Sequence, residues 1–176
     1  MDASVCIDPD ISNTNLGKKV CKVQDLVFNS GQGGPGSVTK IEASTIPVIE
    51  TGKEKPRIKA QFLIFIENRG QGTVVNRDVI NKFCTSSEIS HENLNVVYIQ
   101  AFLSNNQEMK CELKEKKDVT SQRFIKLQDK KEIVRCSLEK GLPNSQDAYS
   151  TPLKIVLSYG YSNSVSANYV IQKIAR

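Results

Sequence analysis

The first stretch of the sequence that could carry chemistry is rich in glycine. Gly31, Gly33 and Gly36 have the spacing G-x-G-x-x-G, which in nucleotide-binding proteins forms a turn that holds a pyrophosphate at a helix N-terminus. Pro35 lies inside this motif, and residues 37–45 alternate in the manner of a strand. No helix is predicted where a phosphate turn needs one, so the sequence favours a flexible or tightly turned connection.

The remaining candidates for catalysis and metal binding are few. The single histidine, His91, stands in a polar stretch, and no G-x-S-x-G elbow occurs to supply a serine nucleophile beside it. Asp8 and Asp10 lack the third ligand, the glycine and the distal Glu of a calcium loop. We therefore predict no catalytic residue, no cofactor and no metal. His91 and Tyr149, both in polar loops, are the predicted candidates for contact with a partner.

Five widely spaced cysteines include no C-x-x-C pair, which argues against a four-sulfur zinc site. Cys111 shares its parity with the apolar residues of 109–113, and Cys136 shares its parity with the apolar residues of 134–138, so both point inward from their strands. We expect these two to form a disulfide. By proximity, Cys6 pairs with Cys21, and Cys84 is left as a free thiol.

The alternative is that all five cysteines are reduced, with Cys111 and Cys136 as small core residues. Disulfides are the preferred interpretation, and they imply an oxidising compartment. The N-terminus has neither the basic region nor the apolar region of a signal peptide, and no apolar window of about 18 residues could span a membrane. The chain is then either cytosolic or lacks a targeting or anchor segment that belongs to a longer protein.

Composition is that of a folded globular protein. Hydrophobic residues make up 39% of the 176, and the formal net charge is +5. The basic residues are interleaved with acidic ones, as in residues 108–118, rather than gathered on one face. Because nucleic-acid surfaces need concentrated Lys and Arg, we predict no nucleic-acid partner.

Strand signals recur along the chain and helical periodicity does not. Extended segments are predicted at 58–66, 94–103, 110–113 and 132–138, and a closing hairpin is predicted over 153–171. In that hairpin Leu153 to Tyr161 alternate inward, and Val165, Ala167, Tyr169 and Ile171 return on one face. The pattern places Tyr159 and Tyr161 in the core or at its rim.

These elements predict an all-β fold. We expect an immunoglobulin-like antiparallel β-sandwich of about seven strands with an N-terminal, disulfide-stapled arm. Residues 1–36 form the predicted arm and glycine-rich linker, and residues 37–176 form the predicted sandwich. Pro47, inside the strand predicted from Ser37 to Glu50, indicates an edge strand.

Three phrases of the sequence carry a resemblance to known proteins. GQGGPGSVTKIEAS, IENRGQGTVV and PLKIVLSYGYSNSVSANYVIQKI resemble immunoglobulin-like surface proteins of archaea, in particular those of small-genome DPANN lineages, and Asn68-x-Gly70 followed by Gly72 resembles the CARDB-type adhesion module. The resemblance covers residues 31–174. It implies an extracytoplasmic domain, often carried behind a membrane anchor that would lie outside this chain, and it supplies no catalytic residue.

Two function hypotheses follow from the sequence. The first is a non-enzymatic, extracytoplasmic immunoglobulin-like domain for surface structure, adhesion or protein assembly, with a protein partner that includes a second copy of itself. The alternative is an accessory module of a larger secreted or membrane-anchored protein that binds carbohydrate or peptide. An exposed aromatic platform or a pocket would favour the alternative.

Overall fold

The fold was obtained as a computed structural model, which describes residues 1–8, 21–48, 57–83, 89–113, 123–143 and 148–171. Thirteen strands, one α-helical turn, α1 (Ile80–Phe83), and three 3-10 turns are present in these residues. The strands in chain order are β1 (Asp2–Ile7), β2 (Leu26–Gly33), β3 (Gly36–Val48), β4 (Arg57–Asn68), β5 (Thr73–Val75), β6 (Val96–Leu103), β7 (Gln107–Glu108), β8 (Lys110–Leu113), β9 (Phe124–Lys126), β10 (Lys131–Ser137), β11 (Leu142–Pro143), β12 (Tyr149–Ser158) and β13 (Gly160–Ser162).

Two antiparallel sheets face each other. The first has the order β1-β12-β6-β7, with β9 also paired to β6, and the second has the order β2-β3-β4-β10-β8, with β11 also paired to β4. A small third sheet consists of β13 and β5. The predicted all-β antiparallel sandwich is confirmed, and several strands beyond the seven expected are only two or three residues long.

The core lies between the two sheets, because alternate residues of each central strand point inward. In β4 the inward residues Phe62, Ile64 and Ile66 are 0–1% exposed. Val97 and Ile99 of β6 meet them from the first sheet as members of the same hydrophobic cluster. At about 25 cal/mol per Å² of buried apolar surface, burial of this kind is the main stabilising contribution.

The N-terminal residues belong to the sandwich instead of forming an arm. Strand β1 pairs with β12 in continuous antiparallel register, from Asp2 opposite Lys154 to Ile7 opposite Tyr149. Val5 and Ile7 are buried in the common core. The interpretation of 1–36 as an arm and linker missed this because short strands carry little periodicity, and their partner lies some 150 residues away in sequence.

The glycine-rich stretch is a tight hairpin turn between β2 and β3. Gly33 pairs with Ser37 across the turn, and the pairing is irregular between Val27 and Gln32. Gly31 and Gly33 have φ angles of 72° and 119°. Glycine adopts such positive φ angles much more readily than residues with a side chain do. The boundary predicted at residue 36 therefore falls between two paired strands of the same sheet.

The predicted edge position of Pro47 applies to only half of its strand. Along β3 as far as Ile41, β2 lies on one side and β4 on the other. Beyond Ile41, β4 is the only described strand that pairs with β3. Pro47 thus lies where β3 has a described neighbouring strand on one side only, which is where proline is tolerated in a sheet.

The predicted C-terminal hairpin is wrong in its second half. Strand β12 forms as expected, but β13 turns away to pair with β5, with Ser162 opposite Thr73. Residues 163–171 are outside any strand and are exposed throughout. Among the described residues there is also no helix that is long and apolar enough to cross a membrane.

Candidate binding surface

Two tyrosines hold the glycine turns together at one end of the sandwich, a region we call the glycine–tyrosine corner. Tyr159 accepts a hydrogen bond from the Gly36 amide at 2.9 Å and donates to the Gly36 carbonyl at 3.2 Å. Tyr161 accepts one from the Gly72 amide at 2.6 Å. Both rings pack against the edge of the core, so the prediction that these tyrosines lie at the core rim is confirmed.

The glycines of the corner are needed because the tyrosines approach so closely. A Cβ atom on Gly36 would lie 2.9 Å from the ring of Tyr159, closer than real Cβ contacts allow. A Cβ atom on Gly72 would collide with the Ser162 carbonyl and with the ring of Tyr161. The G-x-G-x-x-G spacing therefore belongs to a packed turn.

A buried asparagine shapes the neighbouring turn. Asn68 is 3% exposed, its amide donates to the Gly72 carbonyl at 2.9 Å, and its side-chain oxygen accepts from the Gly70 amide at 3.1 Å. Asparagine can bond to the backbone a few residues away in this manner, which stabilises the turn locally. The Asn68-x-Gly70 phrase singled out from the sequence thus has a structural role at the corner.

Both predicted disulfides are present. Cys111 and Cys136 are direct partners on neighbouring strands β8 and β10, and they are 6% and 0% exposed. This bridge joins two strands of one sheet, whereas the immunoglobulin disulfide joins two sheets. Cys6 pairs with Cys21 and ties the end of β1 to the segment that leads into β2. Cys84 lies outside the described residues.

The two residues predicted to contact a partner lie far apart in the fold. His91 is exposed at a 3-10 turn, where its backbone carbonyl accepts a hydrogen bond from the Lys126 ammonium at 3.0 Å. Tyr149 begins β12 opposite Ile7, is half-buried, and packs against the core. Its partial burial raises the pKa of the phenol above 10.0. The structure brings neither residue into a shared site.

An open cleft of about 470 Å³ lies at the β8 edge of the sandwich. Its lining is apolar at Ile99 and Met109 and otherwise rich in charge. Arg123 pairs with Glu108 at 3.0 Å, and the cleft continues to the buried disulfide at Cys111. Its volume is within the range of small-ligand sites.

The charges in this cleft largely neutralise one another. Lys110 lies 3.0 Å from Glu112 and 3.3 Å from Glu139. Its hydrogen bond to Glu112, and next the one to Glu139, raises the pKa of the ammonium above its ordinary value. Arg123 also donates to the Tyr98 hydroxyl at 3.1 Å. The cleft is therefore a mixed-sign surface, suited to polar ligands that carry both donors and acceptors.

Among the described residues, the most apolar exposed surface is the C-terminal segment, by which we mean residues 163–171. Val165, Tyr169, Val170 and Ile171 are 91%, 81%, 89% and 83% exposed. Contiguous solvent-exposed apolar side chains mark interaction sites more often than single exposed ones do. No strand in the described part of the chain pairs with this segment.

An open sheet edge and a shallow apolar groove lie on the other side of the sandwich from the cleft. Strand β2 is the edge opposite β8 in the second sheet, and its Val27 is 63% exposed. Beside it, a groove of about 180 Å³ separates the β2–β3 turn from the start of β1 and from β12. Its apolar lining includes Met1, Val38, Ile155, Leu157 and Tyr159.

Comparison with known proteins identifies no relative. The chain matches no protein-family model, no curated protein and no solved structure. In the described residues there is also no group of three or more His, Cys, Asp and Glu that could hold a metal ion.

Proposed function

We propose that this protein is a non-enzymatic, extracytoplasmic β-sandwich domain that acts in surface structure, adhesion or protein assembly. The observation that carries the proposal is the C-terminal segment, whose large apolar residues are 81–91% exposed although Val165, Tyr169 and Ile171 lie at the alternate positions of a strand. Such a segment gains by pairing with a partner, because pairing satisfies its backbone and removes its apolar side chains from water.

The two disulfides support the extracytoplasmic part of the proposal. Disulfides persist in oxidising compartments and are rare in a reducing cytosol. The Cys111–Cys136 pair is buried at the core face, so it stabilises the fold rather than serving as an accessible redox centre. The resemblance to archaeal immunoglobulin-like surface proteins agrees with this location.

The location is tested by counting thiols. The protein is secreted or prepared without reductant, alkylated in denaturant, and its intact mass is measured. We expect one alkylated cysteine, Cys84, and a further four after reduction. Five alkylated cysteines in the unreduced protein would contradict an oxidising compartment.

The assembly role is tested by photo-crosslinking in the cells that naturally produce the protein. A photoreactive phenylalanine analogue at position 169 lies in the C-terminal segment, and the same analogue at position 128 replaces the exposed Gln128 as a matched control. We expect a discrete protein adduct from position 169 alone. If position 169 gives no protein adduct in cells that carry the folded protein, the assembly role is wrong.

The alternative, an accessory module that binds carbohydrate or peptide, is favoured by the cleft at Arg123 and Glu108. Chemical-shift mapping with oligosaccharides and short peptides would test it. Shifts that gather at Ile99, Met109 and Lys110, and that disappear in Arg123→Ala, would support this alternative. Because the cleft is at the β8 edge, a chain that ends at Ser162 should bind such a ligand equally well.

A further inference from the structure

We propose that the C-terminal segment of one copy adds as a strand to the β2 edge of a second copy. This inference rests on the proposed assembly function and names the partner as the same chain. Within the described residues, each copy carries both halves of the contact, an apolar segment that pairs with no strand and an edge strand with no outer neighbour. Strand addition of this kind uses main-chain hydrogen bonds for affinity and side-chain pockets for specificity.

The segment has the composition of a strand that lacks a partner. In an extended conformation Val165, Ala167, Tyr169 and Ile171 share one face, and Ser164, Ser166, Asn168 and Val170 share the other, which is mainly polar. No charged residue and no proline occurs in 163–171. Both would oppose pairing with a sheet edge. The pattern therefore suits a strand with one buried face.

Of the two outer strands of the second sheet, β2 is the better suited to accept it. Leu26 and Phe28 are half-buried and pack against the core, and Val27 faces outward at 63% exposure. β2 contains neither proline nor a charged residue. The opposite edge, β8, carries Lys110 and Glu112, which form an ion pair of 3.0 Å. Charge at an edge discourages strand addition, so β2 is favoured over β8.

The contact is confined to the first half of β2. The Arg69 guanidinium donates to the Asn29 carbonyl at 2.5 Å, which occupies that part of the backbone. Pairing therefore involves residues 26–28. The apolar face of the incoming strand then lies next to Leu26 and Phe28.

The decisive experiment uses two complementary variants. A chain that ends at Ser162 retains the edge and lacks the segment, while Val27→Lys retains the segment and places a charge on the edge. Each protein is studied by sedimentation velocity, alone and mixed, over a wide range of concentrations. We expect the unaltered chain to associate with rising concentration, each variant alone to stay monomeric, and the mixture to form a one-to-one complex.

Matched substitutions within the segment test which face is buried. Tyr169→Lys should weaken the association constant by about 30-fold, the size expected for a buried aromatic anchor. Ser166→Lys, on the polar face, should change it by less than about threefold, as a solvent-facing contact does. All of these positions are exposed in the single copy, so urea unfolding at low protein concentration should be the same for each variant.

The failure of this inference is distinguishable from failure of the proposed function. If the purified chain is monomeric at every concentration while position 169 still crosslinks to a protein in cells, the partner is another protein and only the second-copy inference is wrong. If the unaltered chain is monomeric and its segment is protected from hydrogen exchange, the segment docks on its own chain, which overturns the inference as well. Equal effects of Tyr169→Lys and Ser166→Lys would also contradict it.

Discussion

Tyr159 and Tyr161 differ from Tyr169 in surroundings although all three belong to the same alternating pattern of sequence. The first two stand on either side of Gly160, pack against the core and hydrogen-bond to Gly36 and Gly72. Tyr169, eight residues after Tyr161, is 81% exposed. The difference shows that alternation predicts which residues share a face, and that a partner strand decides whether the face is buried.

Distant parts of the chain supply the packing partners of Tyr159 and Tyr161. Tyr159 meets the β2–β3 turn, more than 120 residues earlier, and Tyr161 meets the turn at Gly72. Strand β5 holds β13 in place, with Val74 paired opposite Tyr161. For residues 163–171 no such strand is present in the described chain, which is why a second copy is the proposed source.

The largest expected contrast comes from removing each ring. Tyr159→Ala and Tyr161→Ala should each lower the free energy of unfolding by about 2–3 kcal/mol, less than the cost for a fully buried aromatic because both rings are half-buried. Tyr169→Ala should change it by less than about 0.5 kcal/mol, as exposed substitutions do. Urea titrations at low protein concentration would measure all three. Equal losses for the three variants would remove the contrast.

The close packing of the corner predicts the next effect. Gly72→Ala should cost about 1–3 kcal/mol, the usual range for overpacking, since the added methyl group meets the Ser162 carbonyl and the Tyr161 ring. Gln71→Ala, at the exposed neighbouring position, is the control and should be near neutral. Thermal unfolding of both variants would check this. A Gly72→Ala protein as stable as its control would show that the corner is loosely packed.

Removing single hydroxyl groups gives a finer test of the same contrast. Tyr161→Phe keeps the ring but leaves the Gly72 amide without its 2.6 Å acceptor, and should cost about 1 kcal/mol. Tyr169→Phe should cost nothing measurable in the monomer. Paired urea titrations would measure both variants. If Tyr161→Phe matched the unaltered protein, the hydrogen bond would contribute nothing to the corner.

The smallest effect concerns Tyr149, which is intermediate between the two groups. Burial raises its pKa in the folded state above 10.0, so the folded protein holds this proton more tightly than the unfolded chain. The contribution to stability is complete below pH 10.0 and declines as the pH rises through the folded pKa. Tyr149→Phe should therefore reduce the loss of stability measured from about pH 9 to 11. An unchanged alkaline slope would contradict this assignment.

Some features can be predicted from the alternation of residues within one segment of the sequence. The inward parity of Cys111 and Cys136 correctly indicates a disulfide, and the strand pattern over residues 58–66 correctly indicates β4. In both cases the partners are directly neighbouring strands of the same sheet, so periodicity within one segment carries enough information.

Features that depend on distant partners could not be predicted in this way. Strand β1 was assigned to an arm because six residues give little periodicity, and only its pairing with β12 reveals the strand. The exposure of Tyr169 was missed for the opposite reason, since its alternation is strong but no described strand completes it. Glycines and tyrosines in several separate turns are only a weak sequence signal for the Gly–Tyr contacts of the corner.

If residues 163–171 pair between copies, hydrogen exchange of the Val165 to Ile171 amides, measured at several protein concentrations, should report the pairing. We expect fast exchange at the lowest concentration and protection that grows with concentration, together with protection of Leu26 to Phe28. Exchange that is equally fast at all concentrations, or protection that is present already in the monomer, would contradict it.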